Sequence, residues 1–151
     1  MKRKILTAVV FGFIISLLII ASTYINNYFF KDEAYYLLYN DKITSITSVV
    51  GKRKLKQKKV STIFNKKDIK KIYFYSDLKD TPSDLSKYIS YLRENENFLV
   101  TKSFDLNNDN GEFELSKYSK ENNYIILINV KYDKNSYKIS ITRGKGTIKN
   151  Y

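Results

Sequence analysis

The sequence has no cysteine, no histidine and no tryptophan, and only one proline and five glycines in 151 residues. Without cysteine there are no disulfides, no thiolate metal sites and no residue to carry a lipoprotein's lipid. Without histidine as well, neither a Ser-His-Asp triad, a Cys-His pair nor a His- or Cys-ligated zinc can be built. The fold must stand on its core and its hydrogen bonds.

Another absence is local. From Ile5 to Phe30 no side chain is charged, a run of 26 residues directly after Lys2-Arg3-Lys4. A bilayer core takes roughly 20 helical residues to cross, and a helix pairs every backbone group internally. Ile5 to Thr23, ILTAVVFGFIISLLIIAST, therefore reads as a transmembrane signal anchor. Tyr24, Tyr28, Phe29 and Phe30 would form an aromatic belt at headgroup level. Beyond the run, Lys31 and Lys42 are diluted by Asp32, Glu33 and Asp41, so the cation bias puts the N-terminus in the cytoplasm and the remainder outside. The rival reading is a secreted domain after signal-peptide cleavage near Ala21-Ser22-Thr23. Against it, the apolar run exceeds the roughly 7–15 residues of a signal h-region, and no A-x-A site is present. The expected organisation is a basic flank and anchor over 1–30, a juxtamembrane segment over 31–42, and one extracytoplasmic domain over 43–151.

Net charge is +12. Setting aside Lys2, Arg3 and Lys4 leaves 24 Lys and Arg against 15 Asp and Glu, a net +9. Six of those cations, Lys52, Arg53, Lys54, Lys56, Lys58 and Lys59, fall within eight residues. The excess is local. Abundant Lys, Asn, Ile and Tyr also match the codon usage of an AT-rich, low-GC bacterial genome, which raises lysine without any partner demanding it.

Along the domain, Phe30 to Asn40 suits a prolonged membrane helix ending at Asn40-Asp41. Ile43 to Val50 is rich in β-branched residues and reads as a strand broken by Gly51, with Val60 to Phe64 returning. The basic tract then lies on the connection of a hairpin and the start of its second strand. Asn65 to Asp68 has the spacing of an N-cap with an acid at N3, yet Ile72 to Ser76 favours strand. Thr81-Pro82-Ser83-Asp84 opens a helix from Pro82 to about Glu94, with Leu85, Tyr88, Ile89 and Leu92 on one face. From Phe98 the period becomes two, with Phe98, Val100, Phe104 and Leu106 on one face. Asn110-Gly111 reads as a hairpin turn, and Phe113 and Leu115 return. Tyr124 to Lys131 is the most apolar strand, and Tyr137 to Arg143 pairs back on it. The fold class expected is α+β: an N-terminal transmembrane helix, then a small domain with a four-strand antiparallel β-meander and one covering helix.

Catalytic signals are weak. Glu112 and Glu114 share one strand face, as a hydrolase's acid pair would, but adjacent same-face acids are more often a solvent face, and Glu94 and Glu96 read the same way. Asp105 to Gly111 starts like a calcium loop but has Asn110 where glycine belongs and Ser116 where the closing glutamate belongs. Gly144-Lys145-Gly146 is too short for a phosphate loop. No RNA-binding signature accompanies the tyrosines.

The basic start, long apolar helix and β-rich head resemble type IV pseudopilins, and Gly12-Phe13 is similar to their processing junction. That resemblance implies a component of a secretion or DNA-uptake assembly. The fifth position after the junction is Leu17 rather than the family's glutamate, and the seven residues Ile5 to Phe11 are uncharged where the family's leader is polar.

These readings lead to a single-pass, membrane-anchored extracytoplasmic module with no enzymatic activity and no cofactor or metal. Its role would be binding or structural. The tract Lys52 to Lys59 is the expected contact surface for anionic lipid, a wall polymer or an acidic protein, with no nucleic acid expected.

Overall fold

Two strands set the fold. Tyr124–Asp133 and Ser136–Lys145 alternate inward and outward residues over ten positions each and pair from Tyr124 with Lys145 to Asp133 with Ser136. In the computed structural model, which describes residues 11–21, 32–62, 67–103 and 105–148, every other element of the sheet builds outward from this pair. The chain divides into two units, Met1–Lys31 and Asp32–Tyr151.

In the first unit, residues 11–21 are helical (α1), and Ser16 Oγ donates to the Gly12 carbonyl at 2.9 Å. No helix among the described residues is long and apolar enough to cross a membrane. The uncharged run Ile5 to Phe30, with its aromatic belt, lies largely outside the described residues.

The second unit is α+β. In chain order it comprises β1 (Tyr35–Leu38), β2 (Asp41–Thr44), α2 (Ile46–Val50), β3 (Leu55–Thr62), β4 (Ile69–Tyr75), α3 (Thr81–Glu96), β5 (Leu99–Lys102), β6 (Asn110–Tyr118), β7 (Tyr124–Asp133) and β8 (Ser136–Lys145). β1 and β2 form a separate hairpin. The other six strands form one antiparallel sheet in the order β3-β4-β8-β7-β6-β5. The expected four-strand meander is present as β5 to β8, and β4 extends it by pairing with β8. The two edges are β3, eight residues long, and β5, four residues long with a bulge between Val100 and Lys102.

One face of this sheet carries the core. Tyr73 and Tyr75 of β4, Phe113 and Leu115 of β6, Ile126, Ile128 and Val130 of β7, and Tyr137, Ile139 and Ile141 of β8 are buried there. Leu85, Tyr88, Ile89 and Leu92 of α3 pack on them, together with Tyr36, Leu38, Ile43 and Ile46 from the β1–β2 hairpin and α2. Asp80 rather than Thr81 caps α3, accepting from Ser83 N at 3.0 Å, with Pro82 in the first turn. Asn97 ends the helix in the left-handed conformation at φ 58°, a region that asparagine tolerates.

Three expectations are corrected. Tyr35 to Leu38 is a strand, not the end of a prolonged helix, because Tyr36 and Leu38 alternate into the core while Tyr35 and Leu37 stay out. Ile43 to Val50 is not one strand: β2 stops at Thr44, Ser45 accepts from Ser48 N as an N-cap, and Ile46–Val50 turns helical despite its β-branched residues. Gly51 closes that turn at φ +86°. Asn110-Gly111 is not a turn but the start of β6, opposite Asp133 and Tyr132. There glycine is needed for space, since an added Cβ would sit 2.5 Å from the Tyr132 hydroxyl. Ile72 to Ser76 falls in β4 as expected, up to Tyr75. The expected returning strand Val60 to Phe64 belongs to β3 as far as Thr62. Ile63, Phe64 and Phe104, with the cap at Asn65, lie outside the described residues.

Candidate anion-binding surface

Strand pairing decides which way each lysine faces. β3 runs against β4 with Lys58 opposite Tyr73, Lys59 opposite Ile72, Val60 opposite Lys71 and Ser61 opposite Lys70. Tyr73 faces the core, so Lys58 and Lys71 share its side and Lys59 and Lys70 take the other. The same alternation puts Lys138 and Lys131 outward, directly opposite each other on β8 and β7. On β6 it sends Glu112 and Glu114 outward and Lys117 inward.

The inward cations meet carboxylates. Glu33 accepts from Lys58 Nζ at 2.5 Å and from the Tyr73 hydroxyl at 2.5 Å, with Lys71 Nζ 3.5 Å away. Burial alone would raise the Glu33 pKa, but the hydrogen bonds from Lys58 and Tyr73 and the charge of Lys71 outweigh it and hold it low. The neighbouring Asp32 goes the other way. Its burial dominates, and the hydrogen bonds from the Tyr75 hydroxyl at 2.9 Å and from Thr47 do not offset it, so its pKa is raised. Both acids sit over a cluster of fully buried tyrosines, Tyr36, Tyr73, Tyr75, Tyr88 and Tyr137. Tyr36 and Tyr73 have ring centroids 4.5 Å apart. Lys117 reaches Glu96 at 3.1 Å, and Glu96 also accepts from Thr44 N at 2.7 Å.

Arg143 is the most deeply placed cation among the described residues. It is fully buried, with Nε on Asp41 at 2.9 Å, Nη2 on Glu121 at 2.7 Å and Nη1 on the Lys67 carbonyl at 2.6 Å. Its guanidinium lies 4.1 Å over the Tyr124 ring. Asp41 also accepts from Ser119 Oγ at 2.5 Å and Lys120 N at 3.0 Å, and these partners hold its pKa down against the effect of burial. This cluster ties the β1–β2 hairpin to the sheet.

The tract Lys52 to Lys59 is split by the fold. Lys52, Arg53 and Lys54 precede β3, and Lys56, Lys58 and Lys59 lie on it. Arg53 forks onto buried Asp84 of α3, both contacts at 2.5 Å. Lys54 and Lys56 share exposed Asp77, at 2.5 and 3.7 Å. Lys58 holds Glu33. Lys52 acts on Asp32 only at longer range. Lys59 is exposed and has no ion-pair partner among the described residues. The tract therefore does not present six free charges on one surface.

The outward sheet face supplies what the tract lacks. Lys59, Lys70 and Lys138 stand there without ion pairs among the described residues, alongside Lys131 and Lys102. Two glutamates share the face. Glu112 takes Lys102 at 3.3 Å and Lys131 at 3.6 Å as well as the Asn129 amide at 2.7 Å, and Glu114 accepts from Thr101 Oγ1 at 3.1 Å. Two glutamates, with Asp133 at the end of β7, against five lysines leave the face positive. The Lys131–Lys138 opposition is unfavourable in the sheet itself, where like charges directly opposite cost stability. Sequence reading missed Lys70, Lys131 and Lys138, although the alternation of β7 and β8 carried the signal for the last two.

The other chemistry is structural in its contacts. Asp105 accepts from Asn107 N at 2.9 Å and so closes its own turn, and among the described residues no group of three His, Cys, Asp or Glu could hold a metal ion. A cavity of about 190 Å³ beside the start of α3 is lined by Lys79, Asp80, Asp109, Asp133 and Lys134 among others, and Asp133 there is taken by Asn135 N and Ser136 Oγ. Comparison with protein-family models, with curated proteins and with solved structures finds no match to this chain.

Proposed function

We propose that this chain is a single-pass membrane-tethered module whose α+β domain stands outside the cytoplasm and binds an anionic partner without catalysing a reaction. The uncharged run Ile5 to Phe30 behind three cations supports the tether and its orientation. The second unit begins at Asp32, so little chain separates that run from the domain. The observation that carries the binding role is the positive outward sheet face, where Lys59, Lys70 and Lys138 lack carboxylate partners among the described residues. Charge-driven binding of this kind weakens with salt, because the Debye length shrinks from about 10 Å at 0.1 M to about 3 Å at 1 M.

Two experiments test the reading. Protease added to whole cells should digest the domain; its survival there, with digestion in inverted membrane vesicles, would reverse the orientation. The full chain in zwitterionic nanodiscs should be retained on a polyphosphate column at low salt and released at high salt. Lys59→Gln, Lys70→Gln and Lys138→Gln together should move release to lower salt. Unchanged elution of that triple variant would reject the face. Replacing all six tract cations is a poorer test, because Arg53→Gln leaves buried Asp84 unpaired and disturbs folding.

A further inference from the structure

We infer that the outward face of the six-stranded sheet is a membrane-docking face that lies flat on an anionic lipid surface, an inference that rests on the tethered, anion-binding reading above. The helices and the β1–β2 hairpin of the domain pack on the opposite face. The outward face mixes its lysines with apolar side chains in rows that cross the strands. One row runs Lys59, Ile72, Ser140, Asn129 and Glu114. Beside it runs Lys70, Thr142, Leu127, Ser116 and Leu99. Phe74 lies between Gln57 and Lys138, and Tyr118 lies opposite Ile125.

Leu99 and Tyr118 are 50% and 63% exposed, and Ile72, Phe74, Ile125 and Leu127 are half-buried. Long lysine stems over apolar residues suit a headgroup layer, where the ammonium groups reach phosphates and the stems and rings meet the acyl boundary. A soluble polyanion would use the lysines and leave the aromatic and aliphatic residues idle. The opposed Lys131 and Lys138, with one glutamate between them and Lys102, find in an anionic surface the countercharge the fold does not provide.

The test is lysine footprinting of the full chain in nanodiscs, with an amine-reactive ester and mass-spectrometric readout. In discs containing phosphatidylglycerol, labelling of Lys59, Lys70, Lys131 and Lys138 should slow about tenfold relative to phosphatidylcholine discs, since each lysine near an anionic surface adds to the attraction. Lys87, exposed on α3, should label equally in both. Protection should fade at 0.5 M salt, where the Debye length is roughly 4 Å. Uniform slowing that includes Lys87 would overturn a defined docking face. Protection of the four lysines by soluble polyphosphate in phosphatidylcholine discs, with none from phosphatidylglycerol, would overturn lipid docking and leave the anion-binding reading standing. Protection by neither would overturn both.

Discussion

The two faces of one sheet treat lysine in opposite ways. On the inward face Lys58, Lys71 and Lys117 each meet a glutamate, and Arg143 meets two acids while fully buried. On the outward face Lys59, Lys70 and Lys138 meet none among the described residues. The chemistry of the residues is the same, and the difference is the cost of leaving a charge uncompensated: several kcal/mol per ion away from water, against about 0–1 kcal/mol for a whole exposed pair. Inward cations are therefore part of the fold. Outward, Lys102 and Lys131 share Glu112 at the surface, while Lys59, Lys70 and Lys138 cost little unpaired, and that contrast can be broken by mutation.

The largest effect should come from Arg143→Met. It leaves Asp41 and Glu121 without their shared cation and should lower stability by about 3–5 kcal/mol, read as a large drop in the urea midpoint by tyrosine fluorescence. A midpoint within error of the parent would mean the cluster contributes nothing. Next comes Gly111→Ala, where the new methyl must displace the Tyr132 ring; overpacking of this kind costs about 1–3 kcal/mol. Loss of less than the lower figure would show that the ring swings away freely.

Glu33→Gln should cost about 1–3 kcal/mol at neutral pH by weakening charge-assisted bonds to Lys58 and Tyr73. Its pKa in the fold lies below the ordinary 4.5. The stability it contributes is therefore present above pH 4.5 and is lost as pH falls through the lower folded value. The variant and parent midpoints should converge there. Asp32 has the opposite sign, with a folded pKa above its ordinary 3.8. Asp32→Asn should therefore leave the domain as stable or slightly more stable at neutral pH, with the difference vanishing below pH 3.8. Destabilisation by Asp32→Asn at neutral pH would contradict this assignment. The smallest effect belongs outside: Lys138→Gln should stabilise by about 0.2–1 kcal/mol by relieving the opposition to Lys131, and a clear loss would show that Lys138 is already compensated.

Much of this architecture was legible in the sequence where one period ran long. β7 and β8 alternate over ten residues each, and α3 repeats Leu85, Tyr88, Ile89 and Leu92 behind a proline, although its cap is Asp80 and not the expected Thr81. The hairpin of β1 and β2 was not legible, because in Tyr35 to Leu38 both faces are apolar and alternation leaves no polar mark. In α2 the composition pointed to strand, and the only helical signal was Ser45 as its cap. The candidate site was legible as an excess of lysine but not as a surface. Lys58 and Lys59 are neighbours of one kind, and only the register against Tyr73 and Ile72 sends one to Glu33 and the other outward. Arg143 did carry a trace, standing in step with Tyr137, Ile139 and Ile141 and so requiring a buried acid, but which acid depended on a hairpin far away in the chain.

The long edge β3 has a further effect on crowded molecules. Its outer row of amides and carbonyls invites another strand, yet Lys56 and Lys59 project from that rim as exposed ammonium groups. Two copies aligning rim to rim would bring like charges together, and the opposite rim at β5 is short and bulged. Growth of the sheet from one molecule to the next is disfavoured at both ends.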